Sequence, residues 1–155
     1  MNTALIEQYQ TGGQKLASVI AGMSKQDLLA RPIPGKWSTH EVVIHLADAE
    51  AAFADRIRRV IAMDKPVLLA WDENDFFKNL RYEAQSTEDA LAVIDLTRRQ
   101  LARVLKALPE SAFARTGEHS ERGTQTLEAV IGFANSHLDH HLKFIAEKRE
   151  KLRQS

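Results

Sequence analysis

The 155-residue chain contains no cysteine. That excludes disulfides, thiolate metal sites and a cysteine nucleophile together, so any metal must be held by histidine, carboxylate, backbone or water. No serine stands in a Gly-x-Ser-x-Gly turn, which removes the common serine-hydrolase signature. No stretch approaches the roughly 18 consecutive apolar residues of a membrane-spanning helix, so no membrane partner is expected. Met1-Asn2-Thr3-Ala4 carries no basic stretch ahead of an apolar block; no secretory signal is expected, and the expected location is cytoplasmic. Charge of one sign is missing as well. The 21 basic and 21 acidic residues cancel, which gives a nucleic-acid partner no support. The clusters Arg56, Arg58, Arg59 and Arg98, Arg99, Arg103 have acids nearby and read as solvated helix faces.

What the chain does have is helical periodicity. Leu5, Tyr9, Leu16, Val19 and Ile20 predict a first helix over 3–22, with Gly12-Gly13 inside it allowing close helix approach. Ser24 to Ala30 predicts a short helical turn, stopped by Arg31-Pro32-Ile33-Pro34-Gly35. Ser38 and Glu41 form a capping box, Trp37 can staple onto Val42, and the stripe Val42, Leu46, Ala49, Phe53, Ile57, Val60 predicts a second long helix to about residue 62. A long connection over 64–85 holds the acidic-aromatic run Trp71-Asp72-Glu73-Asn74-Asp75-Phe76-Phe77, and connections of this length are usually functional or carry short helices. A third long helix starts near Ser86, with Asp89 completing a weaker box; Leu91, Ile94, Leu101, Leu105 and Leu108 form its stripe before Pro109. Residues 109–123 connect to a fourth, over about 124–151. No strand is expected. A single all-α domain over 1–155, a four-helix bundle with long crossover connections, is the expected architecture.

Three histidines lie on these helices at positions that matter. His137 and His141 are four apart, one turn on the same helix face, and can reach one metal ion. They continue the stripe Leu127, Val130, Ala134, Ile145, so both rings point at the core, where a polar ring needs a partner. A pair at this spacing also arises by chance among six histidines, and a buried histidine bonded to a carbonyl is common. His45, at the edge of the second stripe, is expected to point less squarely inward than His141. His40, in the first turn of the second helix, faces away from its stripe; His119 lies in a Glu/Ser/Arg loop and reads as solvated; His140 is rotated off the stripe and reads as solvated, with support of a neighbouring ligand as the lesser alternative.

The run Lys36-Trp37-Ser38-Thr39-His40-Glu41-Val42-Val43-Ile44-His45-Leu46-Ala47-Asp48-Ala49-Glu50 resembles the second-helix motif of the DinB/YfiT-like superfamily: tryptophan-serine, then His-Leu-Ala and an acid. His137-Leu138-Asp139-His140-His141-Leu142-Lys143 is similar to that family's fourth-helix signature. Order and separation agree too, so the resemblance spans essentially the whole chain. It implies a bundle of unusual connectivity, usually a homodimer, with a divalent metal on His45, His137 and His141. It also implies Trp71-Asp72-Glu73 as pocket lining. Members include transferases and isomerases that use low-molecular-weight thiols, and others labelled metal-dependent hydrolases.

Three nitrogen ligands leave positions open for water or substrate, the layout of a catalytic rather than a structural centre. Zinc or nickel is expected first; iron, manganese or copper is compatible with the ligand type. The leading functional expectation is a metal-dependent enzyme, a thiol S-transferase acting on a small electrophile. The alternatives are a metal-dependent hydrolase and a non-catalytic metal- or ligand-binding stress-response bundle. Asp72 and Glu73 are the candidate bases. Asp48 and Glu41, one turn from His45, are candidates to orient its ring, though a solvated Asp48 and a purely capping Glu41 are the plainer reading. Histidines near their usual pKa of about 6.5 must lose a proton to ligate, so activity is expected to rise from about pH 6 to about pH 8.

Overall fold

In the computed structural model, residues 2–154 are described; Met1 and Ser155 lie outside them. Six helices follow in order: α1 (Thr3–Ile20), α2 (Lys25–Leu29), α3 (Thr39–Ala62), α4 (Glu73–Asn79), α5 (Thr87–Ala107) and α6 (Leu127–Gln154). The four long ones, α1, α3, α5 and α6, form a four-helix bundle. Among the described residues no helix is long and apolar enough to cross a membrane.

The helix starts follow their local chemistry. Ser38 Oγ accepts from the Glu41 N–H at 3.1 Å and Glu41 Oε2 accepts from the Ser38 N–H at 2.7 Å, so the box that opens α3 is complete. Ser24 and Asp27 make a second complete box on α2. At α5 only half forms: Ser86 Oγ accepts from the Asp89 N–H at 3.1 Å, while its own hydroxyl turns to Glu88.

The connections decide the packing. α1 packs on α5 and α6, and α3 packs on the same two helices. Consecutive long helices α1 and α3 therefore lie across the bundle diagonal, as do α5 and α6. Glycine permits this closeness: a Cβ at Gly13 would come 2.7 Å from the Asp95 backbone, so α1 and α5 meet there only without a side chain.

The expectation of no strand is corrected. β1 (Val67–Leu68), β2 (Thr116–His119) and β3 (Gly123–Thr126) form a small sheet in the order β1-β2-β3. β1 pairs parallel to β2, with Leu68 opposite His119; β2 pairs antiparallel to β3, with His119 opposite Gly123. Gly123 has φ +70°, a backbone that favours glycine, and so lets the hairpin turn. These strands join the two long connections to each other. Arg115 donates to the carbonyls of Val60 at 2.9 Å and Met63 at 2.7 Å, tying the hairpin to the C-terminal end of α3.

The arginine clusters are not uniformly solvated. Arg98 is 2% exposed and Arg56 is 7% exposed. Arg98 crosses the bundle interior: its Nε donates to Glu50 at 2.7 Å, its Nη2 to the Ala134 carbonyl at 3.1 Å, and its guanidinium lies 4.6 Å over the Tyr9 ring. The Tyr9 hydroxyl donates to the other Glu50 oxygen. Residues from α1, α3, α5 and α6 thus meet in one buried polar network, and its charges are paired as burial requires. Gly12 makes room for it, since a Cβ there would stand 2.2 Å from Arg98 Nη1.

Candidate metal centre

α3 and α6 run side by side, and they bring His45, His137 and His141 together. One ring nitrogen from each lies within 4.8 Å of the other two. The Nε2 atoms of His45 and His137 are 3.2 Å apart. Two nitrogens held at about 2.1 Å around a tetrahedral ion stand about 3.4 Å apart, so this spacing suits a shared cation.

His45 is the most buried of the three, at 0% exposure, while His137 and His141 are half-buried. That reverses the order expected from the stripes. The reason is tertiary. Trp37 packs edge-on against the His45 ring at 5.4 Å, Trp71 covers it at 5.7 Å, and Phe77 of α4 stacks on Trp37 at 4.9 Å. The aromatic side chains Trp71 and Phe77 therefore turn inward as a cover, half-buried.

Burial sets the charge state. Removal from water holds the pKa of His45 and of His137 down at about 4, and that of His141 at about 3, with neighbouring positive groups adding to the effect. All three rings are neutral at pH 7 and ready to ligate. The donor set fits a divalent metal: three neutral imidazoles, no competing cation among them, and a carboxylate within reach. Glu73 Oε2, at the start of α4, is 3.7 Å from His45 Nε2.

The other expected site residues divide. Asp72 lines the same cavity but works as the N-cap of α4, its Oδ1 accepting from the Asn74 N–H at 2.7 Å. Glu41 serves the capping box, as the plainer reading expected, and in addition accepts from Arg31. Asp48, half-buried, accepts from the Tyr82 hydroxyl at 2.6 Å, so its carboxylate serves Tyr82 and not His45. His45 Nδ1 is buried and has no hydrogen-bond partner among the described residues.

His40, expected to face away from its stripe, and His119, expected to be solvated, are both buried. His40 Nε2 lies 2.9 Å from the Tyr82 carbonyl, to which it must donate, leaving Nδ1 to accept from the Thr87 hydroxyl at 2.7 Å. That pins α3 to the start of α5. His119 is 8% exposed because β2 carries it inward. His140 is exposed, with its ring 5.5 Å from that of His141.

Two cavities flank the histidines. One, of about 480 Å³, is bounded by His45, His137, Trp71, Glu73, Arg56 and His119. The other, of about 560 Å³, lies on the His141 side with Trp37, Glu73 and Lys148. The histidine centre is thus reachable from two sides, with Glu73 bordering both.

Known proteins share this architecture. A protein of Oceanobacillus iheyensis named "Putative metal-dependent hydrolase" is 25% identical over 130 residues, covering 84% of this chain and 75% of its own length. YfiT of Bacillus subtilis, which bears the same description, is 23% identical over 137 residues, covering 88% and 77%. The YfiT structure, described as an unusual four-helix bundle topology, superimposes with a TM-score of 0.88 at 22% identity, covering 96% of this chain and 86% of that one. That likeness establishes the fold. Residues 8–145 match the DinB superfamily, and with the diagonal bundle and the motifs around His45 and His137 in place, the chain belongs to that superfamily.

Proposed function

We propose that this protein is a metal-dependent hydrolase of a small substrate, with one divalent ion, zinc or nickel first, on His45, His137 and His141. The observation that carries the reading is the convergence of three neutral ring nitrogens beside open cavities. The hydrolase names of its relatives agree with it. A bound divalent ion would supply Lewis acidity and a water that ionises near neutral pH. The chain supplies the rest. Glu73, partly exposed beside His45, is the group placed to take a proton from the attacking water. Trp37, Trp71 and Phe77 form the wall that limits water on the His45 side. Asp72 contributes by fixing the first turn of α4, and hence Glu73.

Thiol S-transfer, the leading expectation from sequence, uses the same centre to ionise a thiol. No side chain here singles out a thiol, so hydrolysis stands first. Elemental analysis and paired assays test both. Untagged protein should carry about one equivalent of metal, lost in His141→Ala. It should hydrolyse an activated ester or amide in a metal-dependent way. Turnover of a thiol with a chloro-dinitro aromatic and no hydrolysis would move the thiol reading ahead. Full metal content in a variant with all three histidines replaced by alanine would remove the centre.

A further inference from the structure

The cavity on the His137 side holds a buried charge with no carboxylate paired to it. Arg56 sits on α3, eleven residues after His45, and is 7% exposed. Its Nη2 donates to the Leu69 carbonyl at 2.5 Å. Its guanidinium lies 5.7 Å from the centre of the Phe53 ring. Among the described residues it forms no ion pair and no other hydrogen bond, and it lines the cavity shared with His45 and His137. A buried guanidinium normally meets a carboxylate, because the charge is costly to strip of water alone. Arg98, more deeply buried on α5, does so with Glu50. Arg56 does not.

Two further donors face the same cavity. His119 accepts from the Glu121 N–H at Nδ1, 3.2 Å away, so its proton sits on Nε2, which has no partner among the described residues. Arg122, exposed at the hairpin tip, lines the cavity with its guanidinium 5.0 Å from the Phe133 ring. Burial, with the like charge of Arg122, pushes the Arg56 pKa down, and the nearby carboxylates of Asp55 and Glu121 offset this only in part. The carboxylates of Asp72, Glu73 and Glu121 also border the cavity. All three residues are solvent-exposed and therefore hydrated, and Asp72 is spent on its cap.

We propose that Arg56, His119 and Arg122 form an oxyanion-binding subsite beside the histidine centre, so that the substrate is a small molecule bearing a carboxylate or phosphate away from the bond that reacts. A guanidinium fork with free N–H groups matches either anion in a bidentate way, and a neutral imidazole N–H adds a third donor. The fixed charges would orient the substrate with its reacting group toward His45 and His137. The small sheet, which looks incidental to a helical bundle, then carries His119 and Arg122 to the cavity where they are needed.

This inference rests on the hydrolase reading for its meaning, but it is tested without activity. Inorganic phosphate, succinate and neutral succinamide are titrated calorimetrically into the metal-loaded protein and into chelated protein, where no metal can hold the anion. Saturable binding of phosphate or succinate to both forms, and none of succinamide, is expected; the tighter of the two anions identifies the group. Arg56→Gln should weaken that binding about tenfold or more, and Arg122→Gln about threefold, with metal content unchanged in both. Should Arg56→Gln fail to fold, Arg122→Gln decides, because its exposed side chain is not needed for packing. Absence of saturable anion binding to the chelated wild type, or undiminished binding in Arg122→Gln, overturns the subsite. Neither result touches the metal centre, which stands or falls on metal content in the histidine variants.

Discussion

Lowering the pH from 7.5 to 5 should barely loosen the metal. Three histidines at their ordinary pKa of about 6.5 would each be only about 3% neutral at pH 5, and a site needing all three would lose roughly four orders of magnitude in affinity. Here burial holds the pKa values of His45, His137 and His141 at about 4, about 4 and about 3. Competition from protons at pH 5 then costs less than about twofold. The same shifts act on folding with a definite sign. The unfolded chain takes up protons below about pH 6.5 that the folded rings refuse, so metal-free protein loses stability as pH falls from about 6.5 to about 4. For His45, which is fully buried, the loss at pH 5 is about 2 kcal/mol. Competition with a chromophoric chelator across pH 5–7.5, beside urea melts of chelated protein, measures both effects. A hundredfold fall in metal affinity between pH 7 and pH 5 would refute the neutral-ring argument. So would an apo stability that does not change over that range. The activity rise expected from ordinary histidine titration near pH 6.5 is replaced accordingly: any rise between pH 6 and 8 would belong to the nucleophile, not to the imidazoles.

Other expectations follow from the packing. Glu50→Ala should destabilise by about 3–5 kcal/mol, because it leaves Arg98 buried and uncompensated; adding Arg98→Met should recover part of that loss, and a single-variant effect below 1 kcal/mol in urea melts would contradict it. Chelated protein should keep its helical circular dichroism and lose some melting temperature, since the four helices bury their own core; collapse of helicity on chelation would mean a structural metal. The homodimer implied by the family resemblance is a proposal. Val93, Leu96 and Val104, exposed at 48%, 59% and 41% along α5, form the stripe we propose for it. Leu96→Glu should give a monomer by light scattering, and a wild type that is monomeric at micromolar concentration counts against it.

The sequence by itself determined the four long helices, because a 3.6-residue apolar stripe and a capping box are local properties. Ser38, Glu41, Val42 and Leu46 need only each other to start α3. It also singled out His137 and His141, which one helix turn places together whatever the rest of the chain does. Gly12-Gly13 signalled the close α1–α5 approach. Tertiary structure decided what depends on a neighbour far along the chain. His45 joins the pair across 92 residues only because α3 and α6 pack side by side. Arg98 fills the vacant place in the α5 stripe between Ile94 and Leu101, whereas Arg56 flanks the α3 stripe beside Ile57. Helical spacing marked the first place, but the charge made both residues read as solvent-facing. Whether a charge on an apolar face is buried depends on its partner, and Glu50 lies on another helix. β1, β2 and β3 were invisible for a related reason. Two residues in one connection and eight in another carry little strand propensity alone, and they become a sheet only when the bundle brings the two connections side by side.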